Sequence, residues 1–159
     1  YRHFADRSEL VRAVSDRALA ELAEGIEARF DAVPADADPV AHAHGLLRAV
    51  GEGYLDYAFR EPGLFRAAFT VPADLDRAAD PVRGSARGRT PLVLLGVALD
   101  AMVEAGALSA ERRPGAELLA WSSVHGLACL ALDGPLRALD PATVAATGER
   151  LIAMVVRGL

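Results

Sequence analysis

The sequence of 159 residues has a single cysteine, Cys129, and few aromatic residues, which make up 6% of the chain. One cysteine excludes an intrachain disulfide and a cysteine-based zinc site, and it fits a reducing cytosol. No run of about 18 apolar residues is present that would span a bilayer. The chain also lacks the basic start and apolar run of a secretory signal. We therefore expect a cytoplasmic protein with no membrane partner.

Lysine is also absent, so all 17 basic residues are arginine, and 22 acidic residues bring the formal net charge to −5. An acidic domain repels the phosphates of DNA, and the body of this chain is therefore not expected to read DNA by itself. Hydrophobic residues make up 52% of the chain, which is on the apolar side of average for a globular domain. The length predicts one core, and the apolar excess favours an additional interface.

Capping signals and helical periodicity divide the first half of the chain into helices. Asp6 followed by Glu9 predicts a capping box, in which Asp6 accepts from the backbone of Glu9 and Glu9 bonds back toward the cap. The long helix that starts there is expected to end near Val33. Asp38-Pro39 predicts a second long helix that ends near Glu61, and a short helix is expected at 63–69.

The second half begins with residues 70–89, which are predicted to form a long, mobile loop because prolines and polar residues interrupt it. Thr90-Pro91 then opens an apolar helix that Gly106 closes. Another helix is expected from about Pro114 to Asp133, and Asp140-Pro141 caps the last one. No segment alternates with a period of two residues, so we expect an all-α fold without a sheet.

Distinctive motifs lie near both ends of the chain, Tyr1-Arg2-His3-Phe4 at the start and Trp121-Ser-Ser-Val-His125-Gly126 in the last third. The first resembles the end of the DNA-recognition helix in the TetR family of transcriptional regulators, where a basic residue, here Arg7, follows at the start of a long helix. The second resembles the Trp…His-Gly (WHG) motif of one C-terminal subclass. Residues 54–69 are similar to the family segment in which a helix ends at a proline and a short aromatic helix follows.

The resemblance implies a ligand-responsive DNA-binding regulator, by family default a repressor, that is not an enzyme and needs no cofactor. Residues 1–5 would be the remnant of the DNA-recognition helix, and residues 6–159 would be the ligand-binding and dimerisation domain. Operator DNA would be bound through N-terminal helices that are mostly missing from this chain. The fold would be a TetR-type helical regulatory domain, a homodimer whose last two helices form a four-helix bundle with their mates. The alternative is a helical small-molecule-binding or dimerisation module with no DNA role.

Tyr1, His3 and Arg7 are the candidate DNA-binding residues, because a phenol, an imidazole and a guanidinium can each donate to a phosphate oxygen. Such contacts fix the position of a protein on DNA but do not specify its sequence. The alternative is that all three are exposed polar residues at a frayed end of the chain.

A ligand-binding cavity is expected against the second long helix, where His44, Leu47, Gly51 and Tyr54 share one face. Glycine destabilises a helix interior by about 1 kcal/mol relative to alanine, so Gly51 indicates either a ligand or a close helix contact. Trp121 and His125 are further candidates, although His125 can equally be a core histidine bonded to a backbone carbonyl. The remaining wall would come from aromatic and aliphatic residues, namely Phe65, Phe69, Val97 and Ala101. The effector of such a cavity would be a small lipophilic or aromatic compound.

A strip of small residues on the next-to-last helix predicts close approach of a partner helix. Together with apolar residues of the last helix it gives the candidate dimer interface, Ser122, Gly126, Cys129, Leu130, Leu151 and Val155. We expect no metal site, because His42 and His44 are two residues apart on a helix and point to different sides. Nucleophilic catalysis is not expected either, because no orienting acid joins the serines beside His125.

Overall fold

The computed structural model describes residues 4–35, 38–71 and 74–159, and every regular element in these ranges is helical. The expectation of an all-α fold is confirmed. Two short 3-10 turns, Pro81–Arg83 and Pro135–Ala138, accompany the α-helices. The α-helices are α1 (Arg7–Asp31), α2 (Pro39–Arg60), α3 (Pro62–Ala68), α4 (Leu75–Ala78), α5 (Pro91–Glu104), α6 (Ala116–Leu132) and α7 (Pro141–Gly158).

Side-chain caps start the long helices where the sequence predicts them. Asp6 accepts a hydrogen bond of 2.8 Å from the backbone N–H of Glu9 at the start of α1. Asp38, Thr90 and Asp140 do the same for α2, α5 and α7, and each precedes a proline in the first turn. Glu9, however, accepts from the backbone N–H of Ala5 and not of Asp6, so the return bond of the capping box is shifted by one residue.

Helix α2 lies at the centre of the fold and contacts α1, α3, α5, α6 and α7. Glycine permits the closest of these contacts. A Cβ atom at Gly53 would lie 3.1 Å from the Cα of Ile26, which means that the backbones of α1 and α2 are too close for any side chain there. Fully buried apolar side chains of α1 and α5, Leu22, Ile26, Leu94, Leu99 and Met102, complete the core.

The segment predicted as a long loop, 70–89, contains two short helical elements among its described residues, so the prediction of a continuous loop is wrong in part. It contains α4 and the turn at 81–83, each with an aspartate cap, Asp74 and Asp80. Arginines attach its far end to α1: Arg89 pairs with Glu27, and Arg87 lies 2.9 Å from a carboxylate oxygen of Asp31. Packing against α1 therefore orders a stretch whose local sequence favours a loop.

Among the described residues, no helix is both long enough and apolar enough to cross a membrane.

Candidate ligand-binding cavity

A cavity of about 450 Å³ lies between α1, α2, α5, α6 and α7 and is closed on one side by the segment around α4. Its volume is within the range of roughly 300 to 1,000 Å³ that small-molecule sites usually have. The walls are almost entirely apolar. They are formed by Leu19, Leu22, Leu47, Val50, Gly51, Tyr54, Ala68, Phe69, Val71, Asp74, Leu75, Ala78, Arg83, Pro91, Leu92, Leu95, Ala120, Trp121, Val124, Ile152, Val155 and Val156.

Gly51 lies both at the cavity wall and at a close contact between helices. It lines the cavity. A Cβ atom at this position would also lie 2.9 Å from Cγ1 and 3.1 Å from Cδ1 of Ile152 on α7. The missing side chain therefore lets α7 approach α2 and leaves backbone exposed at the cavity wall.

One end of the cavity is aromatic. Tyr54, Phe69 and Trp121 face it, and Phe65 and His125 pack behind them. The ring centroids of Phe69 and His125 are 4.8 Å apart, and those of Tyr54 and Phe65 are 5.6 Å apart, both with edge-to-face geometry. Edge-to-face contacts of this kind add stabilisation to that which the burial of apolar area provides.

A chain of hydrogen bonds holds these aromatic side chains in place. The indole N–H of Trp121 donates to the hydroxyl of Tyr54 at 3.2 Å, and that hydroxyl lies 2.7 Å from Nδ1 of His125. Because indole only donates, the tyrosine oxygen accepts from Trp121 and its own proton is free to go to His125. Nε2 of His125 then carries the hydrogen and faces Sγ of Cys129 at 3.4 Å.

The histidine is therefore neutral in the arrangement that satisfies every donor. Burial lowers the pKa of His125, which agrees with this assignment. Burial likewise raises the pKa values of the Tyr54 hydroxyl and the Cys129 thiol, so both keep their protons near neutral pH. The ring nitrogens of His125 thus contact the side chains of Tyr54 and Cys129. The alternative prediction, a bond to a backbone carbonyl, is not what the structure has.

A charged cluster also borders the cavity. The guanidinium of Arg83 is 3% exposed and lies 2.9 Å from a carboxylate oxygen of Asp16 on α1. Arg77 donates to both oxygens of the same carboxylate, at 3.0 and 3.2 Å. Two arginines thus share one aspartate at the edge of an otherwise apolar space.

Half of the predicted ligand-binding residues line the cavity, namely Leu47, Gly51, Tyr54, Phe69 and Trp121. Phe65 and His125 stand one layer behind the wall and support it. His44 is not among the lining residues, although Leu47, one turn further along α2, is. No sequence pattern predicted the contributions of α4 and Arg83 to the wall.

The prediction that Val97 and Ala101 form part of the wall is wrong. Helix α5 turns Leu92 and Leu95 to the cavity, and residues two positions from Leu95 point to the other side. Val97 is 40% exposed, and Ala101 borders a shallow depression elsewhere.

Most of the predicted interface strip faces outward on α6. Ser122, Cys129 and Leu130 are exposed and Gly126 is half-buried. On α7, Leu151 and Val155 are half-buried, and Val155 also lines the cavity. Large apolar side chains that the sequence did not single out are exposed beside the strip; they are Leu118, Leu119 and Met154.

The remaining candidate residues have these positions. Tyr1 and His3 lie outside the described residues, and Arg7 is exposed at the first position of α1. His42 is bonded through Nδ1 to the carbonyl oxygen of Pro34, 2.8 Å away, and so ties α2 to the preceding loop. The hydroxyl of Ser123 donates to the carbonyl of Leu119 in its own helix.

Comparison with known proteins gives one sequence family and one solved structure. The model of the family described as "Tetracyclin repressor-like, C-terminal domain" matches residues 47–155, which include the aromatic end of the cavity and most of α7. A protein of unknown function from Rhodococcus sp. RHA1 has a similar structure, with a TM-score of 0.73 and 21% identity over 100% of this chain and 76% of that chain. At this identity the likeness concerns the fold alone. No curated protein matches the chain.

Proposed function

Because this chain belongs to the family of tetracyclin repressor-like C-terminal domains, we propose that it is the effector-sensing and dimerising part of a TetR-type transcriptional regulator. The observation that carries the proposal is the apolar cavity of about 450 Å³ within the helical domain. Its walls fit a small lipophilic or aromatic effector, since few polar groups face the space. The WHG assignment belongs to this proposal, with Trp121 on the cavity wall and His125 behind it.

Helix α1 provides the path from the cavity to DNA. Leu19 and Leu22 line the cavity, and Arg7 begins the same helix about 18 to 23 Å away along its axis. A ligand that favours one position of α1 over another shifts the population of the regulator between two arrangements of its DNA-reading domains. In this proposal a helix-turn-helix precedes Tyr1, and Tyr1, His3 and Arg7 contact phosphates. Release of operator DNA on effector binding, as in a repressor, is the expected response.

Dimerisation is proposed through the outward faces of α6 and α7. Leu119 is 64% and Met154 57% exposed, which is unusual for large apolar side chains in a chain that stays monomeric. On α6 the small residues Ser122 and Gly126 lie between exposed leucines, which lets a second helix approach closely. A four-helix bundle of α6 and α7 from two copies would cover these side chains.

The proposal is tested with the full-length regulator that its gene encodes. Retardation of DNA fragments from upstream of the gene is measured first, and apolar and aromatic compounds are then screened for thermal stabilisation and for release of the DNA. We expect specific DNA binding that at least one stabilising compound weakens. A protein that binds such compounds but no DNA would instead be the module without a DNA role.

A matched pair of variants on α5 locates the effector. Leu92→Trp places a large side chain at the cavity wall, whereas Val97→Trp adds the same group on the exposed face of the same helix. Binding of the compound is expected to be lost in the first variant and kept in the second. Equal binding by both variants would place the effector outside this cavity.

A further inference from the structure

Arg83 differs from its neighbours in the cavity wall. Among the lining residues that the structure describes, it is the one charged side chain that is almost completely buried, at 3% exposure. Asp74, the other charged lining residue, is exposed and caps α4 by accepting from the backbone N–H of Arg77. A cation is therefore held at the wall of a space that is otherwise apolar.

The guanidinium of Arg83 is incompletely satisfied. Nη2 donates to the hydroxyl of Ser15 at 3.2 Å, and Nη1 reaches the carbonyl of Arg77 only at 3.5 Å. Nε lies 2.9 Å from Asp16 but makes no hydrogen bond to any described residue, because the angle is unfavourable. A buried donor without an acceptor is unfavourable, and the penalty is greater for a charged group.

The carboxylate beside Arg83 has a second partner. Asp16 is shared between Arg83 and Arg77, so the pair of guanidiniums is only half neutralised by it. Asp74 and Asp80 lie in the same segment and accept backbone hydrogen bonds, Asp74 from Arg77 and Asp80 from Val82, and the charge of Asp80 also acts on Arg83. Burial lowers the pKa of Arg83, and the charge of Asp16 opposes this shift.

We propose that the effector is a monocarboxylic acid with an apolar body. Its carboxylate binds the guanidinium of Arg83, and its body lies against the apolar walls of the cavity. This inference rests on the proposed function, in which the cavity is the effector site. Arginine suits the role because its planar group presents paired donors that match the two oxygens of a carboxylate.

The first experiment compares three probes of equal length on the unmodified protein: dodecanoate, dodecan-1-ol and dodecylamine, each below its micelle concentration. Calorimetry measures the dissociation constants. Dodecanoate is expected to bind roughly 10- to 100-fold more tightly than the alcohol, since a hydrogen-bonded charge adds that much, and the amine is expected to bind most weakly. Equal affinities for acid and alcohol, or tighter binding of the amine, would overturn the carboxylate assignment while leaving an apolar effector site in place.

The second experiment changes the protein. Arg83→Gln is expected to bring the affinity for dodecanoate down to that for dodecan-1-ol, with the affinity for the alcohol unchanged. Arg48→Gln removes an exposed arginine of α2 that is outside the cavity and is expected to change neither. If Arg83→Gln does not fold, Arg83→Lys keeps the charge without the paired donors, and a smaller preference for the acid is expected. An unchanged preference in either folded variant would contradict the proposal, and failure of all three probes to bind would contradict the effector site itself.

Discussion

Replacing Tyr54 by phenylalanine removes a hydroxyl group that connects two other side chains. The hydroxyl accepts from Trp121 and donates to His125, and the Tyr54 side chain is only 3% exposed. A typical hydrogen bond contributes about 1 kcal/mol net, and a buried group left without its partner costs about 1 to 3 kcal/mol. We expect Tyr54→Phe to lower the free energy of unfolding by about 2 kcal/mol, which corresponds to a decrease in Tm of roughly 4 to 8 °C.

Tyr57 provides the control on the same helix. It is also 3% exposed, but its hydroxyl is buried without a hydrogen-bond partner among the described residues. Burial raises the pKa of Tyr57 to about 12. Because removing an unpaired buried hydroxyl relieves a desolvation cost, Tyr57→Phe is expected to be neutral or to stabilise by up to about 1 kcal/mol.

Equilibrium urea unfolding of both variants at one protein concentration measures the difference, because the stability of the proposed dimer would depend on concentration. Similar losses for Tyr54→Phe and Tyr57→Phe would show that the hydrogen-bond chain does not stabilise the aromatic end of the cavity. The reasoning would also fail if Tyr54→Phe were neutral and Tyr57→Phe were the destabilising change.

Three further expectations concern other parts of the molecule. Burial lowers the pKa of His125 below its ordinary value of 6.5, so the stability that the neutral side chain contributes is present above pH 6.5 and decreases as the pH falls below it. The free energy of unfolding in urea should therefore decrease less between pH 7.5 and pH 5.5 for His125→Gln than for the unmodified protein. Gly51→Ala should lower the free energy of unfolding by about 1 to 3 kcal/mol, because the added Cβ would lie too close to Ile152. In a double-mutant cycle, the same substitution should cost less free energy of unfolding when Ile152→Ala is already present. Leu119→Glu should produce monomers in sedimentation at micromolar concentration, whereas Leu139→Glu, at an exposed leucine outside α6 and α7, should leave the dimer intact.

Local signals in the sequence were sufficient to place the long helices. An aspartate or threonine followed by a proline starts α2, α5 and α7, and both the cap and the proline act on neighbouring backbone. Helix α4 was missed because its four residues, Leu75–Ala78, are too few to establish a helical period. The burial of Arg83 was missed because its ion-pair partner, Asp16, is on another helix far away in the sequence.

The cavity was predicted in part for a similar reason. On α2 polar residues mark the exposed side, so Leu47, Gly51 and Tyr54 were assigned to the correct face. Helix α5 is apolar on nearly every side, so periodicity does not indicate which side turns inward, and Val97 was chosen where Leu95 is correct. Only the packing of α5 against the other helices shows that Leu95, and not Val97, faces the cavity.

Trp121 is the only tryptophan in the sequence, and it stands on the cavity wall with its indole N–H bonded to Tyr54. Its fluorescence therefore has no background from other indoles and arises from one position beside the space that an effector would fill. Displacement of solvent there, or a change in the bond to Tyr54, would alter the emission directly. The protein thus contains a built-in optical reporter of occupancy, and a titration that follows its emission can be made without attaching a dye.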